Sequence, residues 1–312
     1  PDDLWRRYLA ASARGIHHMN RGEYAAALPH YRIAIPALRA VDPDNITVRD
    51  SMRIDLINGL TQIGELDAAR QEGAALLVEI AARGDDNGLV TAFVQAAVAR
   101  TFTLEGDLER AEAGLNEASR TIAALLGAGH SRHLMVVSDL YDIAMRRHDW
   151  PAARQYAQQV HEGFHARLGD THIITQLTRI NWGQALYESG DAAAAANLLR
   201  PASEHLSAQL DPANPQRQMA AFWLAAAELD QGNAIEAAAL LAPLDAGTLE
   251  GAAADGLWVH RLDILRVLTA RERIPDAAQR LDAAMAALAQ EGVSDNRLVA
   301  VARQARGMPP LP

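Results

Sequence analysis

Two residue types are missing from these 312 residues. There is no Cys, and each of the 29 basic residues is Arg, so there is no Lys either. Without Lys the chain cannot house a P-loop, a protein-kinase phosphate clamp or Schiff-base chemistry. Without Cys it has no thiol nucleophile, thiolate zinc site, iron–sulfur cluster or disulfide, and the redox compartment stays open. Aromatic residues make up only 5%, so Ala and Leu must fill the interior. No apolar run approaches the roughly 20 residues of a membrane span, and the start lacks the basic, apolar and small-residue order of a signal peptide. It opens on Pro1-Asp2-Asp3 rather than Met, which reads as a processed chain or an excised piece. Positive charge is short as well: 39 acidic residues leave a net charge of -10, the wrong sign for a surface that tracks phosphates. Direct nucleic-acid binding and membrane contact are not expected of this segment. What is plentiful is apolar material, at 49%, which excludes wholesale disorder.

The chain repeats itself every 42 residues. Gly22, Gly64, Gly106, His148, Gly190 and Gly232 fall at that interval, each between two helical patterns, and Ala27, Ala69, Ala111, Ala153, Ala195 and Ala237 follow five residues later. A seventh unit continues at Ala277 after a shorter step of 40. Within a unit the pattern is helix, tight turn, helix. Ile180, Trp182, Ala185 and Leu186 show the three-and-four spacing of an amphipathic helix. Gly at the anchor can take the left-handed conformation that ends such a helix, and Asp107, Asp191 or Asn233 can cap the next one. The small residue at Ala195 lets the second helix lie close on the first. Turn-rich stretches separate the units, including 84–87, 127–129, 169–171 and 211–215. No segment alternates long enough for a strand, so the expected class is all-α.

These residues resemble the tetratricopeptide repeats. Gly15, Gly22-Glu23-Tyr24, Ala27, Tyr31 and Ala34 in the first unit, and Trp182-Gly183, Leu186, Gly190-Asp191, Ala195 and Leu199 in the fifth, stand where that family's glycine, turn, small and aromatic positions fall. The 42-residue period and the loops 126–130 and 168–172 look like the longer, kinesin-light-chain type. Ile57, Ala99 and Tyr141 depart from the family's helix-packing glycine. The resemblance implies a right-handed superhelical solenoid of about seven helical hairpins over residues 1–292, a capping helix over 293–306 with Ser294 or Asp295 as its cap, and a tail over 307–312. Such a cap would cover the apolar end of the last pair.

Candidate chemistry is sparse. His161-Glu162-Gly163-Phe164-His165 spells the two-His, one-Glu pattern of zinc peptidases, in which histidines four apart share a helix face and Glu162 serves as base. The extended motif would place its Gly and third His where Leu168 and Thr171 stand, so an incidental match is the preferred reading. His130 and His133 could ligate a metal, but loop histidines capping helix ends are expected instead. His17, His18 and His30 are expected to pack. No nucleophile elbow or dinucleotide loop is present, so no cofactor and no catalytic residue is assigned.

In tetratricopeptide proteins the first helix of each pair lines the concave face, so positions equivalent under the 42-residue period form ladders along it. One ladder reads Ile16, Asn58, Arg100, Asp142, Gln184, Ala226 and Arg266; the other reads Ala13, Asp55, Ala97, Asp139, Asn181, Trp223 and Asp263. They are polar in the middle where a core would be apolar, and their mixture of amide, cation and anion suits an extended peptide. The expected function is non-catalytic binding of a peptide or protein segment in that groove. The resemblance further implies the sensory or interaction portion of a bacterial signalling protein, with a winged-helix regulator or Ser/Thr kinase domain elsewhere. The Arg-rich, Lys-free composition suits a GC-rich genome. A transmembrane sensor would place this segment in the periplasm; a stand-alone scaffold, the alternative, would be cytoplasmic.

Overall fold

The period is written first in the backbone. All six anchors adopt the left-handed conformation, with φ of 71° at Gly22, 82° at Gly64, 89° at Gly106, 88° at Gly190 and 87° at Gly232. His148, at φ 55°, is the one residue other than Gly with positive φ among the described residues. At each anchor the next N–H donates to the carbonyl five residues back, as in Glu23 to His18, Asp107 to Phe102 and Asp191 to Leu186. That bond ends the first helix and satisfies a carbonyl that would otherwise be orphaned. His148 bears a steric cost of roughly 1–2 kcal/mol for this geometry, and its ring stacks on Trp150 with centroids 5.1 Å apart.

The computed structural model describes residues 2–84, 88–253, 257–293 and 296–309. Those residues form sixteen α-helices and one three-residue helical turn, with no strand among them. In order they are α1 (Asp2–Asn20), α2 (Tyr24–Val41), α3 (Ile46–Gln62), α4 (Leu66–Arg83), α5 (Leu89–Glu105), α6 (Leu108–Leu126), α7 (Ser131–Arg146), α8 (Trp150–Leu168), α9 (Ile173–Glu188), α10 (Ala192–Gln209), α11 (Pro215–Asp230), α12 (Ala234–Leu241), α13 (Ala246–Ala253), α14 (Trp258–Thr269), α15 (Ala277–Gln290) and α16 (Arg297–Ala305). The chain divides into two compact units, Pro1–Ile143 and Ala144–Pro312.

Capping follows local chemistry. Asp107, Asp149 and Asp191 each accept from the N–H three residues on, at 3.1 Å. Asn233 does not cap, contrary to expectation; its amide donates instead to Glu228 Oε2 at 2.7 Å. Between hairpins the caps also recur at 42 residues. His130 Nδ1 accepts from Arg132 N–H, His172 Nδ1 from Ile174 N–H, both at 3.2 Å, and Asn214 Oδ1 from Gln216 N–H at 2.9 Å. His130 and His172 cap helices; His133, also expected to cap, lies inside α7 and is buried. The turn residues 85–87 lie outside the described residues.

The small position is real in every unit: Ala27, Ala69, Ala111, Ala153, Ala195 and Ala237 are all 0% exposed. Where a Gly does sit in a hairpin, it marks a close approach of a neighbouring helix. A Cβ on Gly15 would stand 3.4 Å from the Tyr31 ring, and one on Gly183 would overlap Leu199, sixteen residues on in both cases. In the second hairpin a Cβ on Gly73, sixteen residues after Ile57, would overlap Val98 of α5 in the next hairpin, while Ile57 stands 3.8 Å away in ordinary contact. In the third, a Cβ on Gly114 would stand 3.1 Å from that of Ala99. Close-packed interiors require the summed volume to be kept and leave open which helix supplies it.

Regularity ends after α11. The second helix of the sixth hairpin is interrupted around Pro243 into α12 and α13, whereas Pro29, Pro36 and Pro201 are carried inside the continuous α2 and α10. Arg266 repairs the break, donating through Nη2 to Leu244 O at 2.6 Å and Leu241 O at 3.4 Å. Gln218 Oε1 accepts from the Asp245 N–H at 2.9 Å. Helix α16 starts at Arg297 with Asn296 as its cap, Oδ1 accepting from Val299 N–H at 2.9 Å. The expected caps Ser294 and Asp295 lie outside the described residues. Beyond covering α14 and α15, as a terminal cap should, α16 reaches back to α9.

Candidate functional site

In the first unit, three first helices bring their ladder residues together. Arg100 on α5 is the hub. Its Nε and Nη2 each lie 2.8 Å from Asp139 Oδ2 on α7, and its Nη1 donates to Asn58 Oδ1 on α3 at 3.1 Å. Beside them Tyr31, from α2, donates its hydroxyl to Asp55 Oδ2 at 3.1 Å. A groove of about 450 Å³ opens over these groups. Asn20 and Gln62 also line it, with Ile16 and Met135 as apolar borders.

Burial sets the electrostatics. It raises the Asp55 carboxyl above its ordinary range, opposed by the Tyr31 hydrogen bond and the charge of Arg132. Asp139 is raised in the same way, opposed by Arg100. The Tyr31 phenol is pushed up by burial and by the neighbouring Asp55 carboxylate. The Arg100 and Asp139 side chains remain 24% and 22% exposed, so the pair is reachable from water. A groove of this kind offers a fixed cation, two carboxylates and two or three amides, which is the inventory needed to hydrogen-bond an extended backbone and its charged groups.

Four expected site residues, Asp55, Asn58, Arg100 and Asp139, therefore come together. Asp142 is exposed on α7 and lies outside that groove's lining. Asn181 and Gln184 are half-buried on α9. Two expectations are corrected. Trp223 does not line an open groove: it is 4% exposed, at the centre of an aromatic cluster with Tyr187, Phe222 and Trp258. A large apolar ring on the ladder is worth more buried than wet. Arg266 is engaged with the carbonyls at the Pro243 break and serves structure there. Sequence reasoning missed Asn20, Gln62 and Tyr31. The first two stand two residues before Gly22 and Gly64, so the same 42-residue ruler marks a third ladder; Tyr31 was read as packing alone.

In the zinc-peptidase pattern the His161 and His165 rings stay neighbours on α8, with centroids 5.8 Å apart. His161 faces inward at 6% exposure, its Nδ1 3.4 Å from Thr178 Oγ1 and its ring 5.5 Å from Trp182. Burial, reinforced by Arg179, lowers its pKa. Glu162 points outward and accepts from Gln158 at 2.8 Å, while His165 lies 3.7 Å from Asp170. His133 is buried between Ala128 O at 2.8 Å and Ser119 Oγ at 2.9 Å. His18 contacts Glu23 at 2.6 Å and stacks on His30. Among the described residues no three His, Asp or Glu groups are arranged to hold a metal. No described helix is long and apolar enough to cross a membrane.

The fold and this face together define the class: an all-α repeat of tetratricopeptide-like hairpins. Solved structures share it. A kinesin light chain of Podosopora anserina with nearly identical TPR-like repeats is 18% identical, with a TM-score of 0.55 over 72% of this chain and 96–97% of that one. RapI in its apo form is 12% identical, TM-score 0.59, over 92% of this chain and 75% of RapI. NprR in complex with its cognate peptide NprX is 11% identical, TM-score 0.55, over 98% of this chain and 84% of NprR. At these identities the likeness is one of fold. No family profile and no curated protein matches the sequence.

Proposed function

We propose that this chain is a non-catalytic repeat segment that binds a peptide or protein segment, and that the first unit's groove across α3, α5 and α7 holds it. The observation that carries the reading is the Arg100 crosslink, which ties three successive first helices together by polar bonds in a groove open to water. A ligand that inserts between Arg100 and Asp139 exchanges one part-exposed ion pair for two charge-assisted bonds of its own. Asn20, Asn58 and Gln62 meet its backbone amides, and Ile16 and Met135 meet its apolar side chains. NprR, a neighbour in fold, was solved with a peptide, which supports this ligand class. The segment acts as the sensory or interaction portion of a bacterial signalling protein. In the test, a displayed library of random heptapeptides is selected on the wild-type chain and the winners are measured on variants. Arg100→Ala and Asp139→Ala each weaken them at least tenfold, about 1.4 kcal/mol, with unchanged helical circular dichroism. Winners that bind both variants normally would place the ligand elsewhere and sink the reading.

A further inference from the structure

The first-helix face of the second unit is not open. Glu188 on α9 and Asp230 on α11 stand two residues before Gly190 and Gly232, the same place in the repeat as Asn20 and Gln62, which line the first unit's groove. In the second unit these two positions grip a helix. The backbone N–H of Arg297 donates to Glu188 Oε2 at 2.8 Å, and its guanidinium makes a bidentate pair with Asp230 at 2.8 and 2.9 Å. Behind this polar end Leu298, Val299 and Ala302 are buried in the same apolar cluster as Tyr187, Trp223 and Trp258. The partners are 109 and 67 residues apart in sequence, so α16 meets this face much as a separate ligand would.

We propose that this face is a helix-docking site, filled in this chain by its own α16, and that a partner protein's amphipathic helix displaces α16 from it. That helix carries a guanidinium in its first turn and aliphatic residues one, two and five positions later. Two observations carry the proposal. The seat has acidic partners for the first turn of a helix, Glu188 and Asp230, as well as an apolar bed, the mode by which amphipathic helices enter grooves. The occupant is short: nine residues cannot hold helical structure alone, so α16 is ordered by docking and has little cooperative structure to lose on leaving. Glu188 and Asp230 set the sign of the partner's charge.

The test uses the full chain and a fluorescent synthetic peptide of residues 293–307. Arg297→Glu places a carboxylate against Glu188 and Asp230 and unseats α16, so the peptide binds this variant at least tenfold more tightly than it binds the wild type. Adding Asp230→Ala to that chain removes the guanidinium's partner and returns the affinity to the wild-type level or below. Arg100→Ala leaves peptide binding unchanged, which separates this site from the first unit's groove. A peptide that binds Arg297→Glu no better than wild type, with helical circular dichroism retained, overturns the proposal. Should Arg297→Glu not fold, hydrogen exchange on the wild type decides. Faster exchange of α16 than of α11, with α9 and α11 unaffected, supports a displaceable helix; equal protection of α16 and α11 overturns it.

Discussion

The two units are built on one ruler and use it differently. In the first, the ladder positions nine residues before the anchors include Asp55 and Asp139, and those two before include Asn20 and Gln62; all four line an open groove. In the second, the same positions hold Asn181, Trp223, Glu188 and Asp230; Asn181 is half-buried, the Trp223 ring is buried and the two acids hold α16. The hairpin scaffold, with its left-handed anchors and fully buried Ala, is the same in both. Scaffold and face are therefore separable: the anchor and small positions decide where helices go, and the ladder positions decide whether a face stays wet. Function in such a fold is carried by the second set.

One substitution is expected to break the scaffold in one unit only. Ala195 has no exposed surface, so Ala195→Leu overpacks its helix pair and costs on the order of 1–3 kcal/mol. Because repeat proteins are stabilised neighbour to neighbour, urea unfolding loses two-state character, the second unit melting before the first. An unchanged midpoint would mean the 42-residue register is misplaced.

A relief experiment sharpens the packing rule. Gly183 and Leu199 are a small–large pair, so Gly183→Ala and Leu199→Ala are each destabilising, the latter by about 2–5 kcal/mol. The double variant is less destabilised than the sum by roughly 0.5–3 kcal/mol, the coupling expected of residues in contact. Strict additivity in a denaturation cycle would show that the two do not share one space.

Acid should act in opposite directions on the Asp55 and Asp139 groove and on Asp170. Asp55 and Asp139 have folded pKa values raised above the ordinary 3.8 by burial. The folded first unit therefore binds extra protons, and their contribution to stability is fully present below that value and is lost as pH rises through the raised one. Asp170 in the second unit is lowered, first by its hydrogen bond from Arg179. Its contribution is present above 3.8 and is lost as pH falls through the lowered value. Asp55→Asn is expected to flatten the first unit's pH dependence and to stabilise that unit at neutral pH, read by hydrogen exchange along α3. A variant less stable than wild type at pH 7 would contradict the assignment. The smallest effect belongs to the zinc-like pattern: Glu162→Ala, on an exposed side chain, shifts stability by no more than about 0.5 kcal/mol. A larger loss in thermal denaturation would give Glu162 a role beyond its contact with Gln158.

The scaffold was legible because Gly and Ala act through their own backbones and volumes. A left-handed turn and a fully buried contact need little beyond local chemistry, and even His148 kept its place in the register with φ of 55°. Ile57 looked like an exception because the Gly of its hairpin, Gly73, makes room for Val98 of the next hairpin, a contact that the repeat pattern of one pair does not contain. Pro243 was visible, but the interruption around it, two short helices repaired by Arg266, depends on a partner 22 residues away from Leu244. Arg100 could be placed on the ladder, whereas its bonds to Asn58 and Asp139 could not, since side-chain direction follows from packing. Trp223 and α16 failed the simple rule for a related reason: a polar face predicts solvent only where the chain has nothing of its own to lay on it.

The central claim is that the first unit's face is open to a ligand while the second unit's is filled by its own helix. Hydrogen exchange of the full chain with and without a saturating selected heptapeptide tests it most directly. The account predicts new protection in α3, α5 and α7 around Asp55, Arg100 and Asp139, with α9, α11 and α16 unchanged. New protection of α9 and α11 with loss of protection in α16, and none in α3 or α5, would contradict it.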